Sequence, residues 1–325
     1  MSTRQAANID TVREMAKTYC SWNRWGPDDQ LGTLNFVTPE TVGEARACIR
    51  KGRVFSLSIP FDETGPQRGG LFRFNPMHFM LRDGANAVVG NTVRDFYGGV
   101  NKHTVGTDDV IMMPTHGATH WDALAHITFE GRIWNGYSAT EVGNRGALKN
   151  DISKVRDRFV GRGVLLDMPR FLGVDWLEPG TPISGEELDA CAVREGVELR
   201  RGDFVLIRTG QLAQVRAQGT WGSYAGGPAP GLGLDAVPWM YKREMAAVAT
   251  DTWGVEVIPN ETADVFQPLH ILMIPIMGLT MGEMFNIEDL ATDCAADGIY
   301  EFFFCAPPLP ITGGVGSPVN PIVVK

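Results

Sequence analysis

The chain has 325 residues, 44% of them hydrophobic and 21% charged, with a formal net charge of −9. That length and apolar content suffice for a sizeable core. The acidic balance excludes nucleic acid or an anionic membrane surface as the main partner, because both require a basic face.

In chain order, the opening "MSTRQAANID" lacks the apolar centre of a secretory signal. Thr38 followed by Pro39 starts a helix over "TPETVGEARACIRKG" that closes on Gly52. "RVFSLSIP" reads as a strand, and residues 61–78 stay irregular, with Gly, Pro and aromatic residues. "RGVLLDMPR" and "GDFVLIRTG" are strand-like, separated by the helix "SGEELDACAVREG", where Ser184 and Glu187 have capping-box spacing. Residues 217–234 form a second Gly- and Pro-rich irregular segment. "MAAVATDTWG" and "YEFFFCAP" read as buried strands around the capped helix "NIEDLATDCAADG". The longest apolar run, "ILMIPIMGLTM", is interrupted by Pro275 and Gly278 and is too short to cross a bilayer. The five cysteines are scattered without a CxxC pair and read as reduced thiols of a cytoplasmic protein. Strands with interspersed helices, and no repeat or linker, predict one α/β or α+β domain. Two long loops carrying aromatic residues are expected to wall or cover a pocket.

Three of the six histidines, His116, His120 and His126, lie within "THGATHWDALAH", together with Asp122. On a straight strand His116 and His120 would stand about 13 Å apart, too far to share an ion comfortably. On a helix Asp122 would be carried round the cylinder away from His120. A bend at Gly117-Ala118, followed by a short extended piece with His120 and Asp122 on one side, brings all three together. Two imidazoles and a carboxylate suit Zn, Mn or Fe. His126 is open to three roles: ligand, general base, or partner of a ligand. His270 in "ADVFQPLH" and Glu283 in "TMGEMFNIEDL" are candidate distant ligands, although a glutamate ahead of a helix is also an ordinary capping charge.

The stretch from His116 to His126 resembles the HxGTHxDxPxH signature of the metal-dependent cyclase-like hydrolases, the family of bacterial kynurenine formamidase and isatin hydrolase. "NRWGPDDQLGTLNFVTPETV", "GRIWNGY", "RGVLLDMPR", "GDFVLIRTG", "ATDTWGVEVIP" and "PLH" before "GEMFNIEDL" resemble further stations of its longer members, in the same order. Two positions depart from the signature: Gly117-Ala118 reverses its small-residue order, and Leu124 replaces its proline. The resemblance implies a single β-rich α/β domain of the swivelling β/β/α type over residues 1–325, with an N-terminal extension of about twenty residues. It implies one or two divalent ions, Zn or Mn, held by His116, His120, Asp122, His270 and Glu283, with His126 as the acid/base residue. It also implies a homo-oligomer.

The resemblance implies hydrolysis of a C–N bond in a cyclic amide or aryl formamide, and the residue set fits metal-activated water. Trp121, Phe72, Phe74 and Trp221 are the candidate pocket residues for an aromatic or apolar substrate. A lactone or ester hydrolase and a non-catalytic metal- or small-molecule-binding protein are the alternatives. A 2-oxoglutarate-dependent oxygenase built on His120, Asp122 and His270 is disfavoured, since no arginine follows His270. Asp251 is a further candidate, as a partner that orients a ligand histidine.

Overall fold

A computed structural model describes residues 7–69, 72–88 and 106–325. Its centre is a nine-stranded mixed sheet. In chain order the strands of this sheet, with those of a separate ribbon (β2 and β3), are β1 (Val54–Ser56), β2 (Met77–Arg82), β3 (Asp108–Met112), β4 (His120–Asp122), β5 (Val160–Asp167), β6 (Phe204–Arg208), β7 (Ala247–Thr250), β8 (Thr280–Glu283), β9 (Glu301–Cys305), β10 (Gly316–Pro318) and β11 (Ile322–Val324). Strands β5, β6, β7 and β8 run parallel in the middle. On one side β9, β11 and β1 add antiparallel, and on the other β4 and then β10 do the same. The α/β class expected from the sequence is the class found.

Buried parallel strands show near-continuous apolar runs because both faces are covered. Val164, Leu166, Val205, Ile207, Val248 and Met281 meet one core cluster, whereas Leu165, Leu206, Ala247 and Ala249 meet the other. The first cluster is covered by helix α1 (Ile9–Thr18) through Val12 and Ala16, and by α3 (Gly185–Glu195) through Leu188 and Cys191. Ser184 and Glu187 cap α3 reciprocally, as their spacing predicts, and Gly196 ends it in the left-handed region. The interrupted apolar run forms a buried helical segment, Leu272–Met277, that carries Pro275. Among the described residues, no helix is long and apolar enough to cross a membrane.

Two expectations change. Helix α2 spans only Pro39–Ala45 before a tight turn through Cys48. Beyond it the chain is drawn onto the sheet edge, where the Lys51 amide donates to the Lys325 carbonyl. The irregular segment 61–78 ends in a strand, because Met77–Arg82 pairs with Asp108–Met112 in a separate two-stranded ribbon. Phe79, Leu81, Val110 and Met112 of that ribbon are exposed, so the ribbon lies outside the core pattern that identifies a strand in a sequence.

Candidate metal centre

The chain turns through Thr115–Thr119 and then enters β4. Gly117 keeps an ordinary negative φ. It is small for lack of room: a Cβ there would stand 3.1 Å from the Pro114 carbonyl oxygen and 3.4 Å from that of Phe74. In β4 alternation sends His120 and Asp122 to one face and Trp121 to the other. Register places Glu283 of β8 opposite His120, and Gly316 of β10 opposite Asp122.

His116 Nε2 lies 3.3 Å from Asp122 Oδ1, and His120 Nε2 lies 3.3 Å from the same oxygen and 3.2 Å from Glu283 Oε2. The His120 Nδ1–H donates to the Ala118 carbonyl at 2.7 Å, which leaves Nε2 as the nitrogen facing both acids. These close approaches lack hydrogen-bond geometry. His116 Nε2, His120 Nε2 and both Asp122 oxygens are buried without a hydrogen-bond partner. Candidate ligand atoms converge in two sets that share Asp122: His116, Asp122 and His126, and His120, Asp122 and Glu283. Orphaned nitrogen and oxygen donors beside buried carboxylates fit a divalent cation, which satisfies the donors and offsets the charge together.

His270 enters from a short helix, Pro268–Ile271, and its Nε2 lies 3.1 Å from Glu283 Oε1. Behind it Glu256 Oε1 accepts from His270 Nδ1 at 2.6 Å and from the His270 amide at 3.0 Å, while Oε2 accepts from the Leu269 amide at 3.2 Å. The same carboxylate therefore caps the helix and fixes the ring it presents. His126 stacks on His116, with ring centroids 4.2 Å apart.

Burial opposes a charge on His120 and on His270. The adjacent carboxylates nonetheless raise His120 to about 9 and His270 to about 10. Burial also works against ionisation of Asp122 and Glu283, yet the imidazoles hold both well below the usual carboxylate range. Burial, reinforced by its histidine neighbours, drives His116 well below its ordinary value, and burial likewise lowers His126. Burial therefore disfavours the charged form of His126.

The structure brings together His116, His120, Asp122, His126, His270 and Glu283. Of the four proposed pocket aromatics, Trp121 is turned away from these groups, and Trp221 packs against the cluster of Trp253 and Met284. Trp121 is core: it packs 4.6 Å from Phe159 and 5.1 Å from Phe285, because strand alternation turns it away from its neighbours. Phe72 is 99% exposed and Phe74 38% exposed. Trp221 packs on Tyr224 and donates from Nε1 to the Thr64 carbonyl. The two long loops do wall a cavity of about 270 Å³, but through Gln67, Arg68, Arg73, Ala225 and Gly226. Among the described residues, Asp251 orients no histidine. Its carboxylate accepts from the Thr209 amide and hydroxyl and from the Gly210 amide. Glu256 occupies the role expected of Asp251, and only its place before the cis-linked "IPN" turn and "PLH" hints at that in the sequence. Gly316 was also missed. A Cβ there would fall 2.2 Å from His116 Nε2, so glycine makes the space for that ring.

The family model described as "Putative cyclase" matches residues 55–257. A solved structure described as a novel cyclase is 35% identical, with a TM-score of 0.85 over 95% of this chain and 99% of its own. Isatin hydrolase A from Ralstonia solanacearum is 20% identical, with a TM-score of 0.58 over 88% of this chain and 97% of its own. Isatin hydrolase A from Labrenzia aggregata is 19% identical, with a TM-score of 0.57 over 84% of this chain and 94% of its own. The two isatin hydrolases share the fold. No curated protein matches the chain. The extent of the family match and the 35% identity over nearly the whole chain carry the same conclusion: this chain belongs to the cyclase family.

Proposed function

We propose that the protein is a metal-dependent hydrolase that cleaves the C–N bond of a cyclic amide or an aryl formamide. The observation that carries this reading is the set of orphaned donor atoms on His116, His120 and Asp122, with Glu283 beside them and, within reach, His126, whose charged form burial disfavours. The shared fold of the isatin hydrolases, named for a cyclic amide, supports the substrate class.

His116, His120, Asp122 and Glu283 would hold the ion, with His270 beside Glu283. A divalent ion so held, Zn or Mn, lowers the pKa of water toward 7 and polarises a carbonyl. The remaining work falls to this chain's side chains. Burial disfavours the charged form of His126, whose ring can take a proton and return it to the leaving nitrogen. Asp122 and Glu283 stay ionised. Glu256 holds the His270 ring from behind. No side-chain nucleophile is needed.

The test is elemental analysis of wild type and Asp122→Ala, purified without chelator, followed by a panel of aryl formamides, cyclic amides and lactones. Bound Zn or Mn in wild type, its loss in the variant, and turnover of an amide that His126→Ala abolishes while keeping its metal are expected. Wild type that refuses both ions overturns the reading, and turnover confined to lactones overturns the C–N assignment.

A further inference from the structure

One wall of the 270 Å³ cavity is hydrogen-bonded to the turn that carries His116. Gln67 in its wall donates from Nε2 to the Gly117 carbonyl at 2.9 Å, on the turn between His116 and His120. Met284 in its opposite wall directly follows Glu283. Asn75 fixes the loop carrying Gln67, accepting from the Gln67 amide at 2.7 Å and donating to the carbonyls of Glu63 and Gln67. The Gln67 side of the wall is therefore a built surface, tied through Gly117 to the turn that carries His116.

Two guanidinium groups, those of Arg68 and Arg73, line this cavity. Arg73 is half-buried, whereas Arg68 is exposed. Among the described residues, neither arginine has an ion-pair or hydrogen-bond partner. That is unusual in a chain where 38 acidic residues face 29 basic ones. Elsewhere the half-buried or buried arginines find acids: Arg162 pairs with Asp203 at 2.7 Å, and Arg208 with Asp167 at 2.8 Å. A guanidinium carries five donors in a planar fork matched to a carboxylate, and leaving them unmet in a half-buried site is costly. Apart from Gln67, the rest of the lining is apolar or glycine. Trp253 spends its Nε1–H on the Gly227 carbonyl, so it offers only ring surface, and Phe266 stands beside it. The volume is slightly below the range of about 300–1,000 Å³ usual for drug-sized ligands, which suits one ring with a short acidic arm.

We propose that this cavity is an anion subsite, in which Arg73, assisted by Arg68, binds a carboxylate of the substrate while Trp253 and Phe266 receive its ring. The substrate class is thereby narrowed to aryl amides or formamides that bear an acid group. The proposal rests on the hydrolase reading for the word substrate, but the subsite itself does not depend on turnover.

The experiment is a calorimetric titration of the full chain with benzoate and with benzamide, which differ in charge and little in shape, at low ionic strength. Each titration is run on metal-loaded and on chelator-stripped protein. Wild type should prefer benzoate by about 10-fold or more in both forms, the size expected of a charge-assisted bidentate contact. Arg73→Met should bring benzoate to within about 2-fold of benzamide, and Arg68→Met should cost it about 3-fold, with benzamide affinity unchanged in both as the check on folding. Equal affinities in wild type, or no benzoate binding, overturn the subsite. So does a preference that survives Arg73→Met and disappears on stripping, because the anion then sits on the ion. A preference that follows Arg73 in a protein that turns over no amide upholds the subsite and removes the hydrolase reading alone.

Discussion

The two halves of the candidate metal centre are built by opposite means. The near half, His116 to His126, is local: one tight turn, three residues of strand and the turn after it supply its groups, and strand alternation aims His120 and Asp122. The distal half is assembled from separate places, with Glu283 ending β8, His270 on a helix of one turn, and Glu256 behind it. The distal half is also where the backbone is most strained. Val255, Gln267 and Met284 adopt φ of +55°, +52° and +59°, next to or near Glu256, His270 and Glu283. Each such residue costs roughly 1–3 kcal/mol, most for a β-branched side chain such as valine. The near half thus draws its groups from one stretch of sequence, with room for His116 made by Gly316, whereas the distal half is gathered by the surrounding fold.

The largest expected effect comes from breaking the junction of the two halves. Asp122→Ala removes the carboxylate both ligand sets share, and metal affinity should fall by more than about 100-fold, beyond the usual loss for a residue outside the coordination shell. Elemental analysis after dialysis reads this directly, and retained metal would show that the halves bind independently. Gly316→Ala attacks the near half through its neighbour. A methyl group at that point must displace the His116 ring, and a shift of about 1 Å lowers kcat/KM on the order of 100-fold while the fold survives. Unaltered kinetics would mean that His116 is not held to its observed position.

Glu256→Gln probes the distal half. The amide keeps the side chain's shape but takes away the charge that fixes His270. Chelator competition should show a loss of about 10- to 100-fold in metal affinity. A lowered Tm with unchanged metal affinity would reduce Glu256 to a helix cap. The smallest effect contrasts these acids with one outside the centre. Burial, with the charge of Asp167 adding to it, pushes Glu195 up to about 8. Its folded pKa exceeds its unfolded one, so its contribution is fully present below about pH 4.5 and is lost as pH rises through 8. Glu195→Gln should therefore raise Tm relative to wild type by a few degrees above pH 8, and the gain should shrink toward acid. A gain that does not vary with pH would show that Glu195 is ionised throughout.

What the sequence made legible follows the same division. Capping at Ser184 and Glu187, the buried runs of β5, β6, β7 and β9, and the His120–Asp122 alternation are all local, so period and spacing reveal them. The ribbon of β2 and β3 escapes detection because its apolar residues face solvent, against the assumption that such patterns point inward. Trp121 was misjudged because adjacency in the chain was taken for adjacency in the pocket, although neighbouring strand residues face opposite ways. Glu256, Gly316 and Arg73 act only through tertiary contacts, and their local contexts resemble a turn, a Gly-rich tail and a surface loop.

The pairing of β4 with β10 sets residue 120 beside residue 318. Such a ladder closes a very long loop, and contacts of that span form slowly and late in folding. Gly316, which makes room for His116, therefore arrives only when most of the sheet is in place. The ion should be acquired as a closing event rather than serve as a nucleus for collapse. In refolding followed by stopped flow, chelator present from the start should leave the early phases alone and alter only the last.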